Sequence, residues 1–314
     1  MKVIITGVAG FIGFNLSNYL LKKKIKVIGI DNIDDYYDTK IKYQRLKILN
    51  KFEKFKFHKT NIQDHKKLDI IFKKNKINCV IHLAAQAGVR YSIRHPEKYL
   101  DSNINGFFNI LELSKKYKIK KLIFASSSSV YGENTKFPLK ENNQINPKNF
   151  YGLTKKNNEE MAKIYSNLYN MNICGLRFFT VYGEWGRPDM FMMKYLHSKK
   201  SFDLYNKGEH YRDFTYIKDV IEIILKIIKS SQKGFQLFNI CSNDPIKITK
   251  VIKIINKHIN KSKLRINRLG LQKADVIKTH GDNSKLIKEI KFKKFTALNI
   301  GLKNLIEWYK NTKI

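Results

Sequence analysis

The chain has 314 residues, enough for one large domain or two modest ones with an ample hydrophobic core. Its net charge of +35 comes largely from 53 lysines, with only 8 arginines, and the basic residues are distributed over the whole chain. Proteins that bind nucleic acids more often concentrate basic residues in a patch and use Arg for bidentate contacts. We therefore expect no nucleic-acid partner, and we interpret the charge as a solvated surface that attracts anionic substrates.

Cysteine usage argues against a metal-binding or disulfide-bonded protein, and hydropathy argues against a secreted or membrane-spanning one. The cysteines Cys79, Cys174 and Cys241 lie far apart without the spacing of metal ligands, which predicts buried thiols in a reducing compartment and no metal site. A strand predicted from Lys2 leaves no room for a signal peptide, and the sequence has no run of about 18 apolar residues. We expect a cytoplasmic protein that has no membrane span.

The first half of the chain alternates short strands with helices. Strands rich in Val, Ile, Leu and Phe are predicted over 2–6, 26–31, 55–59, 79–85, 121–128 and 172–178, and helices over 11–24, 65–75, 96–117 and 150–170. This alternation predicts an α/β fold with a doubly wound, Rossmann-like parallel sheet that is covered on both faces. Ligands of such sheets bind at the carboxyl ends of the strands, and residues 1–180 are predicted to form the nucleotide-binding domain.

Beyond Thr180 the pattern is less regular. Helices are predicted near 189–199, 218–229, 247–259 and 299–311, and strands within 202–208, 212–217 and 235–240. We interpret residues 181–314 as a smaller C-terminal substrate-binding region laid against the first domain, with segments that return to the main sheet.

Three glycines lie between the first strand and the first helix. Gly7, Gly10 and Gly13 follow the spacing G-x-x-G-x-x-G, and glycine allows the backbone to turn tightly and approach a pyrophosphate at the helix N-terminus. Asp31 ends the second strand, where a carboxylate can bind the adenosine ribose hydroxyls and repels a 2′-phosphate. Because Asn32 follows it instead of an arginine, the sequence predicts NAD and not NADP.

Two later strand ends offer further candidate residues. Ala84 and Ala85 lie where the fourth strand opens into a loop, and their small side chains would either let a flat ring lie against the backbone or serve plain packing. The fifth strand ends in a run of serines that includes Ser127, and Tyr151 and Lys155 follow at the start of the next helix. A tyrosine titrates at about 10, so it needs a nearby cation such as Lys155 to act as a base, while Ser127 holds the substrate hydroxyl.

The spacing of Tyr151 and Lys155 is weak evidence by itself, because lysine is abundant in this chain. Seven tyrosines have a lysine four residues further on, and chance predicts about three such pairs. Tyr151 differs from the other six in its context, since it begins a helix soon after a hydroxyl-rich strand end. Context, and not spacing, identifies it as the candidate base.

Together these motifs resemble those of the extended short-chain dehydrogenase/reductases, in the NAD-dependent epimerase/dehydratase family of nucleotide-sugar enzymes. The similarity runs essentially from end to end and includes TGVAGFIG, HLAAQAGVRYSIRHP, FASSSSVYG, YGLTKK and GLRFFTVYGEWGRPDM. Within the family the chain is most similar to the UDP-glucuronate 4-epimerases. Three departures are Glu184, where proline is usual in the last motif, Asn61, where the family has an aspartate near the adenine, and Lys273-Ala274, where Pro-Gly is usual.

The resemblance implies a role for each candidate site residue. NAD would be bound by Gly7, Gly10, Phe11, Ile12, Gly13, Asp31, Asn32, Asp64, Ala84, Ala85, Gln86, Ser102, Tyr151 and Lys155. Tyr151 would be the base, with Lys155 and Ser127 completing the catalytic set. The UDP-sugar would be bound by Arg90, Ser128, Ser129, Thr180, Arg187, Arg212, Gln272 and Asp275.

The implied reaction is NAD-dependent 4-epimerisation of UDP-glucuronate to UDP-galacturonate through a 4-keto intermediate. Dehydratases of the family need an Asp-Glu pair directly after the catalytic Ser or Thr, and the decarboxylases usually carry Glu where Ser129 stands. Here those positions are Ser128 and Ser129, which disfavours both alternatives. A UDP-glucose or UDP-N-acetylglucosamine 4-epimerase is the nearest alternative, because it would share the catalytic residues. The resemblance also implies a homodimer formed through helices 96–117 and 150–170, and a role in polysaccharide biosynthesis.

Overall fold

Seven parallel strands form the central sheet of the protein. The computed structural model describes residues 1–134, 136–261, 263–273 and 275–312. Its strands are β1 (Lys2–Thr6), β2 (Lys26–Asp31), β3 (Phe55–Lys59), β4 (Cys79–His82), β5 (Leu122–Ser127), β6 (Ile173–Phe178), β7 (Thr180–Tyr182), β8 (Ser201–Leu204), β9 (Tyr211–Tyr216), β10 (Phe235–Ile240), β11 (Pro245–Lys247) and β12 (Arg265–Arg268). The central sheet has the order β10-β6-β5-β4-β1-β2-β3, and all its pairings are parallel. The predicted Rossmann-like fold class is confirmed.

Helices cover the sheet and connect its strands. They are α1 (Phe11–Lys22), α2 (Lys40–Leu49), α3 (His65–Lys73), α4 (Tyr91–Arg94), α5 (Pro96–Tyr99), α6 (Gly106–Lys116), α7 (Phe150–Tyr169), α8 (Phe191–His197), α9 (Ile217–Lys229), α10 (Ile248–Asn256), α11 (Ser284–Ile290) and α12 (Leu298–Asn311). A π-helical segment spans Leu100–Asn105, and 3₁₀ turns span Ser128–Tyr131 and Tyr205–Gly208. Within the described ranges, no helix combines the length and apolar character needed to cross a bilayer.

The two faces of the sheet are covered by different helices, and this explains why its strands are apolar throughout. Val3 and Ile5 of β1 belong to one buried cluster, which also contains residues of α1, α2 and α9. Ile4 between them belongs to a second cluster, which contains residues of α3, α6 and α7. Because successive strand residues point to opposite faces, a strand buried on both sides needs apolar residues at every position.

The second half of the chain contributes to three sheets. β10 pairs with β6 at the edge of the central sheet. β11, β9 and β7 form a three-stranded sheet, and β12 pairs with β8. The region predicted to bind the substrate therefore contains short strands, of which β7 begins two residues after the end of β6.

Some element boundaries differ from those predicted. Helix α2 was not predicted, because Lys42 and Arg45 occupy buried positions on it and hide its apolar periodicity. The single helix predicted over 96–117 is instead three consecutive segments, in which Pro96 opens a short helix and the π-helical segment precedes α6. The strand predicted over 79–85 ends at His82, and the residues after it line a cavity.

A buried ion pair joins the strands and the helix that carry the candidate catalytic residues. Arg177 of β6 donates from Nε and Nη2 to the two carboxylate oxygens of Glu159 on α7, at 2.8 and 2.7 Å. Ser126 of β5 donates to the same carboxylate at 2.5 Å. Arg177 also donates to the hydroxyl of Tyr131, which in turn donates to Asn239 of β10. Four segments of the chain are thus fixed around one pair of charges.

Candidate active site

One cavity of about 480 Å³ opens at the carboxyl ends of the central strands. Most of the site residues predicted from the sequence line it: Gly7, Gly10, Phe11, Ile12, Gly13, Asp31, Asn32, Ala84, Ala85, Gln86, Ser102, Ser127, Ser128, Ser129, Tyr151, Lys155, Thr180, Arg187, Arg212 and Asp275. Three predicted residues, Asp64, Arg90 and Gln272, are not part of its wall. The topology therefore brings together residues from both halves of the chain.

The glycine-rich turn after β1 leaves no space for side chains. Gly7 has a φ of +69°, and a Cβ on it would lie 2.8 Å from the backbone nitrogen of Ala84. A Cβ on Gly13 would lie 2.1 Å from the Gly7 carbonyl oxygen. Gly10, the N-cap residue of α1, has no side chain to occupy the end of the helix. The turn thus presents bare backbone and a helix N-terminus to the cavity, which suits a pyrophosphate.

Asp31 is fixed by two backbone hydrogen bonds at the other side of this turn. Its carboxylate accepts from the N–H groups of Ala9 and Ile33, at 3.0 and 2.8 Å. Burial raises the pKa of Asp31, whereas Lys42 and these two N–H groups lower it. Each carboxylate oxygen keeps a free lone pair, so Asp31 remains able to accept hydrogen bonds from ribose hydroxyls.

Lys42 is a cavity residue that the sequence analysis missed. Its side chain is buried, its Nζ donates to the Asp34 carbonyl at 2.6 Å, and it lies over the ring of Tyr37. Its charge also acts on Asp31. A lysine at a helical core position would have been the signal, but it is hidden in a chain that contains 53 lysines.

The candidate catalytic residues lie close together at the ends of β5 and α7. Lys155 is 1% exposed; its Nζ donates to the Ala125 carbonyl at 2.8 Å and lies 5.9 Å from the centre of the Tyr151 ring. The Ser127 hydroxyl donates to the Ser129 hydroxyl at 3.1 Å and also interacts with the phenol of Tyr151. Asn149 caps α7 by accepting the Gly152 N–H, as its place before the helix predicted.

The electrostatics of Tyr151 differ from the expectation. Burial raises the pKa of its phenol, and the groups that act to lower it are Ser127 and Arg187, not Lys155. Burial lowers the pKa of Lys155 to about 8, and Glu159 acts in the opposite direction. Activation of Tyr151 as a base therefore needs more positive charge in the cavity than Lys155 alone provides.

Residues behind the cavity wall hold the loop after β4. Asn103 of the π-helical segment accepts the Gln86 N–H at 2.8 Å, donates to the Gln86 carbonyl and donates to the Thr154 hydroxyl. Thr154 donates to the carbonyl of Tyr151 at 2.8 Å. Neither Asn103 nor Thr154 was predicted, because the hydrogen bond that joins them links residues 51 positions apart.

Two arginines from the second half of the chain, Arg187 and Arg212, line the cavity. Arg187 makes a two-point contact with Asp189, at 3.0 Å from Nε and 2.5 Å from Nη2. Arg212 donates to the carbonyls of Tyr211 and Ile277, and burial lowers its pKa to about 10. Both guanidiniums are thus held in place and keep further N–H donors for an anionic ligand.

The three predicted residues outside the cavity wall have other contacts. Arg90 makes a two-point contact with Asp275, at 3.2 and 2.5 Å, and its guanidinium lies 3.8 Å from the ring centre of Tyr205. The main-chain carbonyl of Gln272 accepts a hydrogen bond from the Asp275 N–H at 3.0 Å. Asp64 caps α3 by accepting the Lys67 N–H, which is a structural contact.

Comparisons of the sequence and of the structure with known proteins all point to one family. A sequence model of the NAD dependent epimerase/dehydratase family matches residues 3–241. The chain is 42% identical to Protein CapI of Staphylococcus aureus over 98% of both chains. It is 40% identical to a UDP-glucuronate 4-epimerase of Thermodesulfobacterium geofontis, over 98% of this chain and 95% of that protein. The crystal structure of a UDP-glucuronic acid 4-epimerase from Bacillus cereus, in complex with UDP-glucuronic acid and NAD, matches 99% of both chains with a TM-score of 0.92 and 30% identity.

The buried His82 at the end of β4 gives a testable pH dependence of stability. Burial lowers the pKa of His82 from 6.5 to about 3, and its Nδ1 lies 2.8 Å from the Thr6 hydroxyl that accepts the Ala84 N–H. Only the unfolded chain binds a proton at His82 between these pH values, so we expect its contribution to stability to be present above pH 6.5 and lost as the pH falls. The loss is up to about 1.4 kcal/mol per pH unit.

Denaturant unfolding of the wild type and of His82→Asn, at several pH values between about 4 and 7, measures this contribution. The difference between the two free energies of unfolding should shrink as the pH falls, because the variant has no imidazole to protonate. If the free energies of unfolding of the two proteins changed with pH by the same amount, the prediction would be contradicted.

Proposed function

This chain belongs to the NAD dependent epimerase/dehydratase family, and on that basis we propose that it epimerises UDP-glucuronate to UDP-galacturonate at C4. Its cofactor is NAD, which fits the bare glycine turn and the oriented Asp31 carboxylate. The observation that carries the proposal is one cavity wall in which Ser127, Tyr151 and Lys155 lie beside two further serines in place of acidic residues.

Proton transfer at the sugar is the task of the Ser127, Tyr151 and Lys155 set. Bound NAD supplies the hydride acceptor for C4. Tyr151 takes the proton of the 4-hydroxyl group, and Ser127 holds that hydroxyl and shares its proton. Arg187 acts to lower the pKa of the Tyr151 phenol and so favours the phenolate, while Lys155 is fixed on the Ala125 carbonyl with its amine beside the Tyr151 ring. The proton returns from Tyr151 when the hydride is returned to the other face of the 4-keto sugar.

Retention of the sugar carboxylate is the second requirement. A 4-ketoglucuronic acid is a β-keto acid and loses CO₂ readily, so the site must hold its carboxylate away from the geometry of decarboxylation. Ser128, Ser129, Thr180 and Arg187 line the cavity and supply hydroxyl and guanidinium donors for this purpose. The serines at 128 and 129 also have no carboxyl group that could move protons at C5 or C6.

Incubation of the protein with UDP-glucuronate tests the proposal directly. We expect UDP-galacturonate, identified by anion-exchange chromatography and NMR, and no UDP-pentose, because the carboxylate is held. UDP-glucose is the matched substrate control, since it differs in lacking the carboxylate. Product from UDP-glucose and none from UDP-glucuronate would overturn the proposal in favour of a neutral-sugar epimerase.

Tyr151→Phe tests the assignment of the base. Removal of the phenolic hydroxyl should reduce kcat by about a thousandfold while folding and NAD binding are retained, because general acid–base groups contribute 10²–10⁴-fold. Tyr165→Phe is the control, since Tyr165 lies on the same helix and its hydroxyl bonds Glu112 away from the cavity. Near-normal turnover by Tyr151→Phe, measured as UDP-galacturonate formed, would exclude Tyr151 as the base.

We also propose that the protein forms a homodimer through α6 and α7. Large apolar side chains are exposed on these helices: Phe108 on α6, and Leu153, Ile164, Leu168 and Tyr169 on α7. Exposed apolar groups of this size on adjacent helices favour burial against a partner. Pairing of α6 and α7 with their copies in a partner chain would bury these exposed side chains.

Leu168→Glu tests the dimer, because Leu168 is 68% exposed and a carboxylate there would be buried in the interface. We expect light scattering to give twice the mass of one chain for the wild type and the mass of one chain for the variant. Ile70→Glu on α3 is the control, since it adds the same charge at an exposed apolar residue outside these helices. A monomeric wild type would refute the dimer.

Two wider assignments follow from the proposed reaction. We propose that the protein acts in the cytoplasm, in keeping with its three free, buried cysteines. We also propose that its product is a sugar donor for polysaccharide biosynthesis.

A further inference from the structure

Arg45 is a buried arginine that contacts two separate segments of the cavity wall. Its Nη1 donates to the carbonyl of Ala9, within the glycine-rich turn, at 2.7 Å. Its Nη2 donates to the carbonyls of Trp185 and Gly186, at 2.6 and 3.3 Å. The side chain is 0% exposed. One guanidinium therefore connects the cofactor turn to the residues that directly precede Arg187.

The connected loop, residues 183–190, depends on outside contacts for its shape. Trp185 has a φ of +60°, which is uncommon for a residue with a side chain. Its ring packs against Phe14 of α1 and Trp308 of α12. Asn15 of α1 donates to the Glu184 carbonyl at 3.1 Å. The loop that carries Arg187 is thus attached to α1, the helix that starts at the cofactor turn, and to Arg45.

Burial of the Arg45 guanidinium costs desolvation free energy, and no other side chain could make the same contacts. Burial lowers the pKa of Arg45, and Tyr37 and Asp31 oppose this effect. Its Nε has no hydrogen-bond partner among the described residues. Apolar side chains would fill such a space with less desolvation, but only a planar fork of donors reaches carbonyls on two sides at once.

We propose that Arg45 is a positioning residue for the sugar carboxylate, because it fixes the loop that presents Arg187 relative to the cofactor turn. The inference rests on the proposed function, in which Arg187 contacts the carboxylate of UDP-glucuronate. Arg45 touches these two segments and the hydroxyl of Tyr37, to which its Nη1 donates at 3.2 Å, and not the sugar. A change at Arg45 should therefore weaken recognition of the carboxylate and of NAD together, and leave recognition of the UDP group unchanged.

Binding measurements on the NAD-saturated protein test this inference. Calorimetry in a Tyr151→Phe background gives the Kd of UDP-glucuronate and of UDP without turnover. Arg45→Lys keeps the charge but provides a single point of contact, so we expect about tenfold weaker binding of UDP-glucuronate and UDP binding within about twofold of the background protein. The Kd of NAD should rise in the same variant.

Two further variants make the result specific. Lys121→Met is the matched control, because Lys121 also donates to several main-chain carbonyls, of Ile227 and Ser230, but at the amino end of β5. It should leave both Kd values unchanged. Arg45→Gln, which has no charge to bury, is the second variant should Arg45→Lys not fold.

The outcomes separate the inference from the function on which it rests. If Arg187→Ala weakens UDP-glucuronate but not UDP, and Arg45→Lys does the same, the inference is supported. Suppose that Arg187→Ala has this effect, but the Arg45 variants leave the Kd values of both ligands unchanged or raise both by the same factor. In that case Arg45 does not position the loop for the carboxylate. If Arg187→Ala itself does not distinguish the two ligands, the proposed carboxylate contact fails, and the inference fails with it.

Discussion

The geometry of the candidate catalytic set depends on the buried ion pair between Glu159 and Arg177. Glu159 lies one helical turn after Lys155 on α7, and its carboxylate accepts hydrogen bonds from β5, through Ser126, and from β6, through Arg177. Ser126 directly precedes Ser127. Because a buried pair is costly unless its hydrogen bonds are satisfied, this packing permits little freedom. The Ser127, Tyr151 and Lys155 side chains are consequently held on rigid elements, as proton transfer at a defined distance requires.

The cavity is electrostatically balanced although the chain as a whole is strongly basic. Its described wall has four basic and four acidic side chains: Asp31, Asp34, Lys42, Lys155, Arg187, Asp189, Arg212 and Asp275. Several of these side chains are paired with a group of opposite charge, as Arg187 is with Asp189. They therefore act on a ligand through directed hydrogen bonds more than through net charge. The excess of +35 lies elsewhere on the molecule, where it is available to attract an anionic nucleotide sugar from a distance. Selection and attraction of the substrate are thus properties of different parts of the protein.

The residues that sequence reasoning missed share one physical feature, which is that their roles depend on burial. Lys42, Arg45 and Asn103 are polar side chains at core positions, and their partners lie in other segments. In a chain with 53 lysines, a functional lysine cannot be distinguished by its type. The contact between Arg90 and Asp275 joins residues 185 positions apart, so no local pattern could predict it.

The sequence by itself determined the fold class and the glycine-rich turn after β1. Both depend on short-range rules, since apolar strands alternating with helices require a parallel sheet, and glycines are required where the backbone must pass close to itself. It also placed Ser127, Tyr151 and Lys155 at one edge of that sheet, because parallel strands end on the same side. Only the tertiary structure decided which side chains meet across loops, such as Arg45 with the loop before Arg187, and which groups set the pKa of Tyr151. Those contacts depend on how distant segments pack, and packing has no signature in local spacing.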